Sequence, residues 1–298
     1  FPDISILNLR FGSPGRIAYR SGEAGLPIVS LATRFGACEV SLYGGHVLSY
    51  RPIGHGPVLF VSQASLYEPG KPIRGGVPIC WPWFGPHPDK TLPIHGFARV
   101  QQWDLISTEY SSDTTELLLS LRDTELTRRL WPFAFELNLR VKLGQHLSLE
   151  LTTVNRDAQP FTITQGFHPY FRVRNIMDVS VLGLDQASFK DRLTGQSGKQ
   201  EGPLLIRAET DRIFTPTAPE CALRDAGLGR ALALTFSGTQ QLVVWNPWID
   251  KARAMADFGD DEYTRMLCVE PVQTAEGAVT LAPGEQNTLS FSLQAALI

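Results

Sequence analysis

Hydrophobic and polar residues alternate along much of the chain with a period of two. The clearest run covers residues 135–144, where hydrophobic side chains fall on one face and polar side chains on the other. Residues 146–152 repeat the pattern, and Gly144-Gln145 between the two runs predicts a short hairpin turn. This alternation is typical of half-buried strands. Similar strands are predicted near residues 38–43, 116–121, 161–165, 231–236, 241–246 and 287–294.

Helical periodicity is nearly absent. The best candidate is one turn over Thr124–Leu130, which Pro132 would end. The 26 glycines and 21 prolines are scattered as turn residues, and neither an internal repeat nor a linker is visible. The pattern therefore predicts an all-β fold with very little helix, built as a large antiparallel sandwich of two packed sheets, with residues 1–298 as a single domain.

Composition narrows the choice of partners. The chain has 298 residues, 43% of them hydrophobic, and a net charge of −3, so it presents no basic field for nucleic acid. No apolar run approaches the length of a membrane span, and we expect no membrane partner. The four cysteines show no C-x-x-C spacing and are expected to be free, buried thiols. These features favour a cytoplasmic protein.

The segment 73–85, IRGGVPICWPWFG, interrupts the alternation. Its glycines and prolines argue against a regular strand. Arg74 offers a planar fork for a hydroxyl pair or a phosphate, and Trp81 and Trp83 offer flat faces that would stack on a sugar ring. The alternative is an apolar loop over the core, with Arg74 in a salt bridge.

Two histidines lie in other irregular segments. His95 sits in 93–99, PIHGFAR, with Arg99 four residues further on. His168 sits in 165–173, QGFHPYFRV, where the following proline favours an extended backbone and the aromatic neighbours suit a histidine tuned for acid–base work. The alternative for His168 is a core histidine whose ring bonds to the backbone, and for His95, as for most lone loop histidines, a structural role is the favoured alternative.

Two carboxylates complete the set of candidates. Asp211, in the segment 209–214, would hold sugar hydroxyls or form a local ion pair. Glu270 follows the short apolar run 267–269, where burying a carboxylate costs free energy unless the group is paired or has a catalytic role. Glu270 is therefore the best candidate for a base, with a structural ion pair as the alternative.

The chain lacks the sequence signatures of several enzyme classes. The chain contains no G-x-S-x-G elbow, no G-x-x-x-x-G-K-[ST] loop and no G-x-G-x-x-G after a strand. Its six histidines show no close metal-binding spacing, so no metal ligand is predicted, and a zinc site would require residues assembled from distant parts of the chain.

Taken together, seven motifs resemble the aldose 1-epimerase superfamily, and within it the bacterial glucose-6-phosphate 1-epimerase (hexose-6-phosphate mutarotase) branch. They occur in the family's order over about 200 residues. The motifs are RGGVPICWPWFG at 74–85, HGFAR at 95–99, HPYF at 168–171, ETDRIF at 209–214, VVWNPW at 243–248, DFGDDEY at 257–263 and CVEP at 268–271.

The resemblance implies a galactose-mutarotase-like β-supersandwich that binds a sugar on a concave face. His168 matches the family's general acid, and Glu270 matches its general base. Arg74 with Arg99 matches the positions associated with a substrate phosphate. The positions expected to hold the substrate are Arg74, His95, Arg99 and Asp211.

The expected activity is interconversion of the α and β anomers of a hexose, with a hexose 6-phosphate favoured. Ring opening needs one acid and one base, so no cofactor or metal is expected, and the protein is expected to be a monomer or weak dimer. Alternatives are a mutarotase for unphosphorylated aldoses and a non-catalytic carbohydrate-binding sandwich. A β domain of a glycoside-processing enzyme, which would usually need two carboxylates, and a plain interaction protein are further alternatives.

Overall fold

Short strands dominate the computed structural model, which describes residues 1–298. Its 23 strands, in chain order, are β1 Ile17–Ser21, β2 Pro27–Thr33, β3 Gly36–Ser41, β4 His46–Pro52, β5 Ile79–Cys80, β6 Asp104–Tyr110, β7 Thr115–Arg122, β8 Phe135–Leu143, β9 Leu147–Asn155, β10 Phe161–Ile163, β11 Gln165–Phe167, β12 Tyr170–Arg172, β13 Val179–Leu182, β14 Ser188–Asp191, β15 Ser197–Lys199, β16 Leu204–Leu205, β17 Thr210–Thr215, β18 Glu220–Asp225, β19 Arg230–Ser237, β20 Gln241–Asn246, β21 Met266–Gln273, β22 Val279–Leu281 and β23 Gln286–Leu297.

Three short α-helices accompany the strands: α1 Ile4–Phe11, α2 Glu125–Leu130 and α3 Trp248–Ala254. The predicted turn is α2, and the Thr124 side chain caps its first turn. Helices α1 and α3 are absent from the sequence-based prediction. None of the helices combines the length and the apolar character of a membrane-spanning segment.

Two large antiparallel sheets form the body of the fold. The nine-stranded sheet has the order β16-β13-β18-β19-β23-β9-β8-β7-β6, and the other large sheet has the order β15-β14-β17-β20-β21-β11-β5, with β12 also paired to β21. A four-stranded sheet, β1 to β4, and the pair β10-β22 complete the structure. The predicted all-β sandwich is therefore confirmed.

The main core lies between the two large sheets. Strand β8 buries alternate residues, as its sequence predicts, and its neighbour β9 does the same at its start. Aromatic rings join the sheets: Phe167 lies 5.5 Å from Phe291, and Trp81 lies 4.4 Å from Phe135, centroid to centroid. All four cysteines are free and buried, as expected.

Strand β21 is buried along both faces, which distinguishes it from β8. Leu267 and Val269 point into the main core, whereas Cys268 and Glu270 point to the opposite face of the sheet. The sequence-based interpretation placed Glu270 at the end of a strand. The strand instead continues through Pro271 to Gln273, so Glu270 lies inside the strand, directly opposite Val243 of β20.

Candidate active site

A pocket of about 280 Å³ lies on the face of the second large sheet that carries Glu270. The six candidate residues come from distant parts of the chain, and all six line this pocket: Arg74, His95, Arg99, His168, Asp211 and Glu270. Larger grooves of about 530 and 610 Å³ cross other surfaces, but neither contains a buried histidine beside a buried acid. The small pocket is therefore the best candidate for an active site.

Strand register places the carboxylates of Asp211 and Glu270 on the same face of the sheet. Asp211 in β17 pairs with Trp245 in β20, and Val243 in β20 pairs with Glu270 in β21. Because side chains directly opposite each other share a face of the sheet, all four project toward the pocket. His168 lies between β11 and β12, where its backbone N–H donates to the Pro78 carbonyl.

His168 and Glu270 form a buried acid–base pair. Nε2 of His168 lies 3.5 Å from Oε1 of Glu270, and the two side chains are 8% and 1% exposed. Neither carboxylate oxygen of Glu270 has a hydrogen-bond partner in the protein, and neither has Nδ1 of His168. A buried carboxyl group without a donor is costly, and such groups cluster at functional sites.

Burial moves the two pKa values of this pair in opposite directions. Desolvation raises the pKa of Glu270 well above its usual range, and nearby Asp211 raises it further. Desolvation lowers the pKa of His168, and the charges of Arg99 and Arg74 add to this effect. These shifts favour an uncharged pair that holds one proton, the same number as in the charge-separated form with Glu270 ionised and His168 protonated.

His95 presents a fixed hydrogen-bond donor. Its Nδ1 accepts a hydrogen bond from the backbone N–H of Gly85 at 3.1 Å. Desolvation and the charge of Arg99 lower the pKa of His95 well below its usual range, so the ring is neutral. The hydrogen must therefore be on Nε2. His95 has a φ of 66°, a left-handed conformation that is uncommon outside glycine and concentrates at functional sites.

Arg74 belongs to a chain of contacts that ends at His168. Its Nε and Nη2 donate to Oδ2 of Asp257 at 3.2 and 2.9 Å, and its Nη1 donates to the Tyr170 hydroxyl at 3.1 Å. The Tyr170 ring stacks on the His168 ring, with centroids 4.8 Å apart and planes 12° apart. The salt bridge weighed from sequence therefore exists, yet Arg74 still lines the pocket.

Arg99 differs from the other cations of the pocket because it has no carboxylate partner. Its Nη2 donates to the Ile94 carbonyl at 2.6 Å, and the residue is 8% exposed. Desolvation and Arg74 both lower the pKa of the Arg99 guanidinium, which nonetheless stays charged. A buried cation without a counter-charge is unfavourable, and an anion entering the pocket would relieve it.

Two cations of the pocket were not identified from the sequence. Nη1 of Arg192 lies 3.4 Å from Oδ1 of Asp211, and Nζ of Lys251 lies 3.2 Å from Oε1 of Glu209. The local ion pair weighed for Asp211 does not form, because the neighbouring Arg212 pairs with Asp191 and Asp211 pairs with the distant Arg192 instead. Neither Arg192 nor Lys251 lies in a segment whose sequence signals a ligand.

The predicted sugar-stacking role of Trp81 and Trp83 is wrong. Trp81 is fully buried in the main core, where its indole N–H donates to Thr153 Oγ1 at 3.0 Å. Trp83 is also buried, and its N–H donates to the Pro93 carbonyl. Trp245 lines the pocket instead, with its ring edge-on to His168 at 5.8 Å.

The comparisons with known proteins converge on one family. The family model for aldose 1-epimerase matches residues 27–294. A candidate glucose-6-phosphate 1-epimerase from Cenchrus ciliaris is 37% identical over 275 residues, which are 88% of this chain and 83% of the relative.

Solved structures share the fold over nearly the whole chain. A candidate mutarotase from Salmonella typhimurium is 30% identical, with a TM-score of 0.89 over 95% of this chain and 94% of its own. A galactose mutarotase related enzyme from Lactobacillus acidophilus, at 15% identity, has a TM-score of 0.70 over 90% of this chain and 96% of its own. The expected galactose-mutarotase-like supersandwich is therefore confirmed.

Proposed function

Since the chain belongs to the aldose 1-epimerase family, we propose that it is a mutarotase, an isomerase that interconverts the α and β anomers of a hexose 6-phosphate such as glucose 6-phosphate. One observation carries the proposal: a buried, otherwise unpartnered acid–base pair, His168 and Glu270, lies in a pocket lined by polar groups. Mutarotation requires one acid and one base close to a sugar ring.

In the proposed reaction, Glu270 removes the proton from the anomeric hydroxyl while His168 protonates the ring oxygen. The bond from C1 to the ring oxygen breaks as C1 becomes an aldehyde carbon. The aldehyde then rotates about the C1–C2 bond, and the C5 hydroxyl closes on the opposite carbonyl face. On closure the two residues exchange roles, with Glu270 donating and His168 accepting.

The proton inventory of the pair fits this cycle. Ring opening consumes one proton at the ring oxygen and releases one at the anomeric hydroxyl, so the pair must carry one proton throughout. The opposed pKa shifts of Glu270 and His168 favour the uncharged form of the pair, which corresponds to the state reached after ring opening. Sugar hydroxyls that donate to Glu270, and a ring oxygen that accepts from His168, would help to stabilise the charged form that begins the cycle.

Three further groups would hold the sugar. His95 would donate from Nε2 to a sugar oxygen, because its Nδ1 is already occupied by Gly85. Asp211 would accept from hydroxyls while Arg192 balances its charge. Arg74 would present a fixed guanidinium, since Asp257 and Tyr170 restrict its orientation.

We assign the substrate phosphate to Arg99, assisted by Arg74. Arg99 is the one pocket cation without a carboxylate partner, so a phosphate would supply the missing charge. In a hexose 6-phosphate, C6 is bonded to C5, which carries the ring oxygen. The phosphate should therefore lie on the side of the acid His168, and Arg99 is close enough for its charge to lower the pKa of that residue.

Two alternative functions predict different results for anomer exchange and sugar binding. A mutarotase for unphosphorylated aldoses would turn over glucose and glucose 6-phosphate equally. A non-catalytic carbohydrate-binding protein would bind sugar without accelerating anomer exchange. The buried His168–Glu270 pair favours catalysis, because sugar binding alone does not require a buried acid beside a buried base.

The deciding experiment follows anomer exchange of glucose 6-phosphate by NMR magnetisation exchange, with glucose as the comparison sugar. We expect acceleration over the spontaneous rate for both sugars, with the larger kcat/KM for glucose 6-phosphate. Sugar binding without acceleration would support the non-catalytic alternative.

We propose that residues 1–298 act as one domain, which is supported by a continuous core cluster that extends from Leu7 to Leu293. We further propose a cytoplasmic monomer or weak dimer that acts on small sugars. Light scattering over a range of protein concentrations tests the stated assembly.

A further inference from the structure

A third potential ligand atom lies beside the acid–base pair. Cys268 precedes Glu270 by two residues on β21, so its side chain is on the same face of the sheet. The Cys268 sulfur, a ring nitrogen of His168 and a carboxylate oxygen of Glu270 all lie within 4.8 Å of one another. All three residues are buried, and the proposed mutarotase mechanism uses only two of them.

These atoms are available for a ligand. Both carboxylate oxygens of Glu270 lack a hydrogen-bond partner in the protein, and Nε2 of His168 faces one of them at 3.5 Å. The His168 ring is held in place by stacking on Tyr170 and by the edge contact with Trp245. A buried carboxylate without a partner, beside a histidine ring held in place by its neighbours, offers a metal ion two ligand atoms in fixed positions.

Imidazole nitrogen, thiolate sulfur and carboxylate oxygen together are typical zinc ligands. With Zn–N and Zn–S bonds of about 2.0 and 2.3 Å, two ligand atoms of a tetrahedral ion lie roughly 3.3 to 3.8 Å apart. The 3.5 Å between His168 and Glu270 falls in that range. The thiol needs to approach by about an ångström at most, which takes a rotation of roughly 30° about Cα–Cβ, a strain that the bond to zinc offsets.

We propose that His168, Cys268 and Glu270 bind a Zn²⁺ ion that inhibits the enzyme by occupying its acid–base pair. The inhibition, though not the binding, rests on the proposed function. Cys268 does not itself line the pocket, so the ion enters past His168 and Glu270. Its fourth ligand position then faces the pocket and is filled by water or a sugar hydroxyl.

The positive charge of the pocket does not oppose this site. The ion brings two positive charges, and coordination as thiolate and carboxylate supplies two negative charges from Cys268 and Glu270. The thiol proton and the proton of the pair pass to the buffer. The bound site is therefore neutral, and it adds no net charge beside Arg99.

Binding is tested on the tag-free protein with Co²⁺ and Zn²⁺, without any turnover assay. Titration with Co²⁺ should give one bound ion and the near-ultraviolet absorption of a cobalt–thiolate bond, and Zn²⁺ should displace it. Cys268→Ala should remove that absorption and weaken Zn²⁺ binding by more than about 10- to 100-fold. A loss of that size is typical when only a group that hydrogen-bonds to a metal ligand is removed, and loss of the ligand itself should cost more. Cys221→Ala, which removes another buried thiol, is the matched control and should bind as the wild type does.

Inhibition is measured separately. Zn²⁺ should suppress anomer exchange in the wild type and in Cys221→Ala, whereas Cys268→Ala should exchange anomers at the wild-type rate and resist Zn²⁺. Absence of a one-to-one complex in the wild type, or unchanged Zn²⁺ affinity in Cys268→Ala, would overturn the site. If the wild type lacked mutarotase activity, the absorption and affinity measurements would still decide the metal site, so the two proposals fail independently.

Discussion

The backbone N–H of Gly85 donates to Nδ1 of His95 at 3.1 Å, which fixes the tautomer of a neutral histidine in the pocket. The Nε2–H of His95 is therefore free to donate to a bound sugar. His95 keeps this orientation although its φ of 66° is unfavourable for most residues. The donor is thus built into the fold before any substrate arrives.

We predict that His95→Asn lowers kcat/KM for anomer exchange by about tenfold, equal to about 1.4 kcal/mol and typical of one hydrogen bond. Asparagine tolerates a positive φ, so the backbone should be retained. Steady-state kinetics by NMR exchange measures the effect, and circular dichroism checks the fold. An unchanged kcat/KM in the folded variant would show that His95 has no contact with the substrate.

Arg99 should determine the preference for a phosphorylated sugar. Arg99→Ala is predicted to reduce kcat/KM for glucose 6-phosphate by about 10- to 150-fold, the equivalent of a charge-assisted hydrogen bond of 1.5–3 kcal/mol. Turnover of glucose should change much less. Arg140→Ala, which removes an exposed arginine far from the pocket, is the control. Equal losses on both sugars would exclude a phosphate role for Arg99.

Phosphate binding should also be visible in stability. Inorganic phosphate at about 100 times its Kd would add about 2.7 kcal/mol to the free energy of unfolding of the wild type. Arg99→Met should lose this response, and its own Tm without phosphate should equal or exceed that of the wild type, because a buried cation without a counter-charge has been removed. Differential scanning fluorimetry with and without phosphate measures both effects. A phosphate response that survives in Arg99→Met would place the anion elsewhere.

Trp81 should contribute to stability rather than to sugar binding. It is fully buried and packs against Phe97, Trp131 and Phe135. Trp81→Ala should therefore reduce the free energy of unfolding by about 3–5 kcal/mol. Urea denaturation measures this loss. A variant of normal stability that has lost sugar binding would show that Trp81 contacts the sugar after all.

Sequence periodicity predicted the strands well because alternation directly records which face is buried. Strands β7, β8, β19 and β20 lie close to their predicted ranges. Helices α1 and α3 were missed because they are short and each buries only one residue, Leu7 and Ala252, so they leave no helical period.

The candidate site could be predicted only in part. His168 and Glu270 stood out because a histidine among aromatics and a carboxylate after an apolar run are locally unusual. Arg192 and Lys251 gave no such signal, since their place in the pocket depends on which strands are neighbours in the sheet. Trp81 and Trp245 are both tryptophans in aromatic segments, and only the fold determines which of them is exposed to the pocket.

The most direct measurement is the rate of anomer exchange of glucose 6-phosphate in His168→Ala and in Glu270→Gln, beside the wild type. Each substitution removes one of the two proton-transfer groups, and each should lower kcat by about 10²- to 10⁴-fold while the fold survives by circular dichroism. Wild-type-like exchange rates in both folded variants would contradict the proposal that this buried pair opens and closes the sugar ring.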